Sequence, residues 1–192
     1  MLTKNINFKD FKLIKNIKNI KKINKDFKFF LKEDHIIIKS LGKFYKKNYK
    51  NKIVVKLKKN LNFRIIGMGG SILGAESIYS FLRHKIKKNF YFIDNLKSEI
   101  IDITNKKKYV NLIISKSGNT LETISNVNII IKKKDKNIFI TENKNSYLFL
   151  LAQKIKAEII HHNNFIGGRF SVLSEVGMLP AELMGLNEKK FK

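Results

Sequence analysis

The chain has 192 residues and no cysteine, room for one ordinary domain with an added segment, and excludes disulfide frameworks and thiolate metal sites. Hydrophobic residues make up 43% and charged residues 29%, a globular balance, and no apolar run approaches the ~18 residues that span a bilayer. The net charge of +25 is almost all lysine, with arginine only at Arg64, Arg83 and Arg169; phosphate and base readers favour arginine for its bidentate fork, so nucleic acid is not the expected partner.

The lysine excess travels with asparagine and isoleucine, as in KNIKNIKKINK, the pattern of A- and T-rich codons on solvated faces. The opening MLTKNINFKDFKLIKN lacks the apolar core of a signal peptide, and a cytoplasmic protein without membrane attachment is expected.

Residues 1–61 read as a lysine-rich extension. Phe8, Phe11, Leu13, Ile14, Ile17, Ile20 and Ile23 recur at roughly helical spacing and predict an amphipathic helix, while IVVKL (53–57) predicts a short strand. From Asn62 to Lys192 the rhythm changes. FRIIGMG, NFYFID, KYVNLIIS, NIFIT and AEIIHH are short apolar runs, and helical stretches such as SILGAESIYSFLRHK, TLETISNVNIIIKK and SYLFLLAQKI lie between them. That alternation predicts an α/β fold with a doubly wound, five-stranded parallel sheet. In such sheets ligands bind beyond the carboxyl ends of the strands. GMGGS, SKSGNT and HHNNFIGGRFS are therefore expected on one edge, facing one cleft.

The first loop, GMGGSILG (67–74), is a glycine-rich strand-to-helix turn that lets backbone approach a ligand. A dinucleotide fingerprint, with Asp94 as the ribose acid, would need glycine where Ile72 stands, so no nicotinamide cofactor is expected. Gly74 also fits a purely packing role. The second loop, SKSGNT (115–120), places Ser115, Ser117, Asn119 and Thr120 at a helix start, where unpaired N–H groups and the helix dipole favour an anion. A cap at Asn119 or Thr120 would explain one such residue, and the loop has four. A single phosphate is the expected ligand. Lys116 points either to that anion or to solvent. The third loop carries Arg169, a fixed positive charge for the cleft or a salt bridge to Glu175 or to a chain terminus. Adjacent His161 and His162 on a strand point to opposite sides, so they are not expected to share a metal.

Together the three loops resemble those of glucose-6-phosphate isomerases, specifically the N-terminal sugar-isomerase (SIS) domain of that family. IIGMGGSILGAE is similar to the family's strand-to-helix turn, SKSGNTLET to its phosphate loop, and GGRFSVLSEVGMLP to its Gly-Gly-Arg signature. The resemblance covers about residues 62–187. It implies a flavodoxin-like SIS fold and a sugar phosphate as ligand, with no cofactor or metal. It also implies that the family's usual partner is a second copy. It puts Ser115, Lys116, Ser117 and Thr120 at the phosphate, Gly70, Ser71 and Gly168 at the sugar, and Arg169 beside the reacting carbons. It implies that arginine stabilises an enediolate as a proton moves between C1 and C2. The family's base is a glutamate of a second SIS domain, and no segment here resembles its motif. Glu122, Glu175 and Glu182 fall on other positions. The resemblance thus implies an N-terminal portion of an isomerase, inactive or nearly so alone. The alternative is a non-catalytic sugar-phosphate-binding SIS module.

Overall fold

A computed structural model describes residues 17–33, 35–42, 44–96 and 108–191. The chain divides into two compact units, Met1–Asp34 and His35–Lys192.

The first unit contains helix α1, Ile17–Phe30. Lys21, Lys22, Lys25 and Lys28 fall on one side of its helical wheel, and Ile20, Ile23 and Phe27 on the other. The expected amphipathic helix is present over these residues; Phe8, Phe11, Leu13 and Ile14 lie outside the described residues.

The second unit is built on five parallel strands: β1 Asn62–Gly67, β2 Asn89–Ile93, β3 Val110–Ile114, β4 Lys136–Thr141 and β5 Glu158–His161. They pair in the order β2-β1-β3-β4-β5, the flavodoxin-like doubly wound order. The fold class read from the sequence is the one observed, and all five strands fall on its apolar runs. Side chains alternate between two cores. Phe63, Ile65, Leu112, Ile114 and Ile140 face one layer, against α3 (Asn51–Lys58), α4 (Leu73–Phe81) and α7 (Glu175–Leu183). Ile66, Ile93, Ile113 and Phe139 face the other, against α5 (Leu121–Ile130) and α6 (Tyr147–Lys154).

The expected strand at IVVKL is a helix, α3. Val54 and Leu57 are buried against the sheet and Ile53 packs beside them, while Val55 and Lys56 face solvent. A one-sided apolar stripe at i, i+1 and i+4 outweighs the β preference of two valines. Helix α2 (Ile36–Leu41) precedes it, and Tyr49 between the two joins the same core.

Two of the three arginines have structural roles at a distance from the loops of interest. Arg64 is buried at the start of β1, with its guanidinium carbon 3.8 Å from the centre of the Tyr109 ring. Burial pushes its pKa down. Arg83 donates to the Ile86 carbonyl at 2.7 Å.

Candidate functional site

Loops leave the carboxyl ends of β1, β3 and β5 on a single edge of the sheet, because all five strands run parallel. The first turns through Gly69–Ser71 into α4, the second runs from Ser115 to Thr120 into α5, and the third runs from His162 through Arg169 into α7. All of the residues assigned to the site from the sequence lie on these three loops.

The first and third loops touch. A Cβ on Gly70 would lie 2.3 Å from both the carbonyl carbon and oxygen of Gly168, so only glycine allows this approach. The Ser171 hydroxyl spans the contact, 3.2 Å from the Gly70 carbonyl oxygen and 2.6 Å from that of Gly168. Ser71 is buried beside the end of β1, where a Cβ on Gly67 would come within 3.3 Å of its own. Gly74 has the packing role: its hydrogen faces Val172, whose Cγ2 would lie 2.7 Å from an added Cβ.

The second loop is organised around hydroxyls. Ser115 is buried; its Oγ lies 3.0 Å from Thr120 Oγ1 and accepts from the Gly118 N–H at 3.2 Å. Ser117 Oγ lies 3.5 Å from the same Thr120 oxygen and accepts from the Asn119 N–H. Gly118 takes a φ of 68°, open to glycine at little strain, and an added Cβ would strike Ser146 Oγ. Thr120 occupies the N-cap position of α5, yet its side chain makes no capping bond. Asn119 Oδ1 is also engaged elsewhere, accepting from the Tyr147 N–H at 2.9 Å. The capping alternative is therefore not what these side chains do. Three hydroxyls cluster at the start of a ten-residue helix that no side chain caps, an arrangement suited to an anion.

Lys116 takes neither of the two directions considered from the sequence. Its Nζ donates to the Asn164 carbonyl at 2.6 Å and lies 3.6 Å from Glu142 Oε1. It ties the second loop to the third. Glu142 also pairs with Lys144. Burial opposes the Glu142 charge, but the two lysines outweigh it and hold its carboxyl below the usual range.

Arg169 is exposed, and among the described residues it has no hydrogen-bond or ion-pair partner. The alternative salt bridge to Glu175 does not form. Glu175 is fully buried and accepts from the Tyr45 hydroxyl and the Asn163 N–H instead, both at 3.0 Å. Glu182 pairs with Lys47 at 3.0 Å. Tyr45, Asn163 and the burial of Glu175 were not legible in the sequence. Tyr45 lies 130 positions from its partner, and no local pattern marks it.

His162 is fully buried at the end of β5. Its Nδ1 meets the Asn163 carbonyl at 3.1 Å, and its Nε2 has no hydrogen-bond partner among the described residues. Burial pushes its pKa down, over the opposing pull of the Asn163 carbonyl and of the Glu175 and Glu142 charges. A base whose folded pKa is depressed takes up its proton first in the unfolded chain. Stability is therefore full above about pH 6.5, the ordinary histidine value, and declines as the pH falls below it. Urea midpoints measured at pH 7.5 and pH 5.5 are expected to drop for the unmodified chain and to drop less for His162→Gln. Equal drops in both proteins would remove His162 as the cause. Among the described residues no group of three or more His, Asp or Glu side chains could hold a metal ion. No described helix is long and apolar enough to cross a membrane.

A family model described as phosphoglucose isomerase matches residues 36–190. The chain is 38% identical over 140 residues to a glucose-6-phosphate isomerase of Methanocaldococcus jannaschii, a match covering 67% of this chain and 34% of that protein. The chain spans about a third of the length of the curated relatives it matches. Among solved structures it is similar to a hypothetical protein from Thermus thermophilus, with TM-score 0.66 and 20% identity over 90% of this chain and 45% of that one. It is also similar to a tagatose-6-phosphate ketose/aldose isomerase from Escherichia coli, with TM-score 0.57 and 17% identity over 73% and 43%. At those identities the structural likeness establishes the shared fold.

Proposed function

The chain belongs to the phosphoglucose isomerase family, and on that premise we propose that it forms the N-terminal, sugar-phosphate-binding part of an enzyme interconverting glucose 6-phosphate and fructose 6-phosphate in glycolysis and gluconeogenesis. The binding domain in this reading is residues 62–192, with α2 and α3 packed on it. The protein works in the cytoplasm, and its partner is a second copy of the complete chain.

The phosphate is held by the hydroxyls of Ser115, Ser117 and Thr120 and by the first N–H groups of α5. Lys116 adds positive charge and braces the third loop. Gly70, Ser71 and Gly168 border the sugar. Arg169 meets O1 and O2 of the reacting carbons. In the forward direction a base removes the proton from C2, the electron pair passes into the C1–C2 bond, and negative charge develops on oxygen. Passage of the O2 proton to O1 and reprotonation at C1 then give the ketose. A cation set in place beforehand stabilises that charge in the transition state. The base is not assigned to this chain: Glu175 and Glu182 are engaged in structural bonds, and Glu122 sits in the first turn of α5.

The observation that carries this reading is the cluster of three hydroxyls at the uncapped start of α5, on the sheet edge where Gly168 packs against Gly70. Calorimetric titration of the 192-residue chain with glucose 6-phosphate is expected to show weak saturable binding. A coupled assay for fructose 6-phosphate is expected to show turnover lower than that of a complete isomerase by about 10²–10⁴-fold, the contribution of a positioned base. Robust turnover would put the base within this chain, and absence of binding would end the sugar-phosphate reading.

The structural commitment of Glu175 and Glu182 also suits a second reading, a binding module without catalysis. Adding the family's missing C-terminal part in trans separates the two, since only an isomerase half gains turnover.

A further inference from the structure

The loop from His162 to Gly168 delivers Arg169, and its first residues are held from outside. The Asn163 N–H donates to Glu175 Oε1, the Asn164 carbonyl accepts from Lys116, and Ile166 is fully buried. Glu175 is the anchor among these that the helix it belongs to does not require. Ser174 already caps α7, its hydroxyl accepting from the Val176 N–H. Glu175 nevertheless places a carboxylate in a fully buried position, which is costly unless both oxygens are satisfied. Both are satisfied, one by the Asn163 backbone and the other by Tyr45, which comes from the connection between α2 and α3. Burial and the Glu175 charge raise the Tyr45 pKa far above the phenol range, so the hydroxyl remains a donor.

We infer that Glu175 is a positioning residue: with Tyr45 it fixes the start of the loop that carries Arg169, and through it the place where the guanidinium meets the reacting carbons. The inference rests on the sugar-phosphate site proposed above. Glu175 is bonded to the third loop and makes no bond to Ser115, Ser117 or Thr120. Disturbing it therefore moves the arginine and leaves the three hydroxyls, which bond one another within residues 115–120, in place. A ligand with negative charge at its C1 end feels that movement; a ligand that is neutral there does not.

Two probes separate these cases. Arabinonate 5-phosphate carries a carboxylate at the end where the enediolate charge develops, and sorbitol 6-phosphate carries a neutral alcohol there. Glu175→Gln keeps the side-chain size but removes the charge and one of the two acceptors, so the charge-assisted bonds to the Asn163 N–H and the Tyr45 hydroxyl cannot both be kept. Its affinity for arabinonate 5-phosphate is expected to fall about tenfold, since small misplacements of an orienting group cost one to two orders of magnitude, while sorbitol 6-phosphate stays within about twofold. Tyr45→Phe is expected to act in the same direction with a smaller loss, and it carries the test should Glu175→Gln not fold.

Equal losses for both probes, in step with the melting temperature, would show a merely structural role and overturn the inference. So would unchanged affinity for both. If the unmodified chain binds neither probe, the sugar-phosphate reading itself falls and this inference falls with it.

Discussion

Replacing Ser115 and Thr120 together with alanine is expected to abolish measurable glucose 6-phosphate binding by the chain. The two oxygens lie 3.0 Å apart in the cluster that closes around the start of α5. In the proposed site each donates to a phosphate oxygen, and a hydrogen bond to a charged group contributes about 1.5–3 kcal/mol. Losing two removes about 3 kcal/mol or more, a weakening of at least about a hundredfold. The change also strips the Gly118 N–H of its acceptor, so some stability is lost as well. Ser117→Ala is the control, because that hydroxyl is exposed and its nearest oxygen neighbour in the cluster is 3.5 Å away; a smaller loss is expected there. Calorimetry at matched temperature, with melting curves on all three proteins, checks the result. Binding that survives the double change would sink the assignment of this loop to phosphate.

Gly70→Ala is expected to be the most damaging single-atom addition at the site. The new methyl would sit 2.3 Å from the Gly168 carbonyl and 2.8 Å from the Arg169 nitrogen. These are backbone atoms, and no flexible side chain can yield in their place. The two loops must separate or the strand ends must shift, at a cost of about 2–3 kcal/mol. For a chain of this size that lowers the melting temperature by roughly 5–10 °C. Separating the loops also carries Arg169 away from the phosphate cluster, so sugar-phosphate affinity falls with it. Gly69→Ala is a useful comparison. Nothing lies within 4 Å of an added Cβ there, and the strain comes only from a φ of 55°. A melting point for Gly70→Ala no lower than that of Gly69→Ala would refute the close-packing account.

The strands were legible because each is a short apolar run that ends in glycine or polar residues. The sheet edge that holds the loops followed from the parallel order alone. The helix α3 was not legible. Its two adjacent valines carry a strand preference, and only the sheet beneath them turns Ile53, Val54 and Leu57 into a helical stripe. The site divides in the same way. The three hydroxyls of the second loop lie within six residues and show their chemistry locally. The bond from Lys116 to Asn164 joins positions 48 apart, and that from Tyr45 to Glu175 joins positions 130 apart. No periodicity encodes such pairs. Glu175 could be noticed beforehand only as a possible partner for Arg169, and the buried environment that gives it other partners exists only once α7 is docked.

The meeting of the first and third loops ties together residues 101 positions apart, Gly70 and Ser171. Such a contact closes a long stretch of chain, and the entropy of closing it is lost before the contact stabilises anything. The strands from β1 to β5 have to be paired first, since they bring the two loops to the same edge. The contact between these two loops is thus expected to be among the last to form, both in refolding and as the chain leaves the ribosome. A nascent chain that has produced the second loop still lacks both the β4 carbonyl that the Ser115 N–H donates to and the arginine of the third, so the proposed site is completed only once the segment after β5 has emerged.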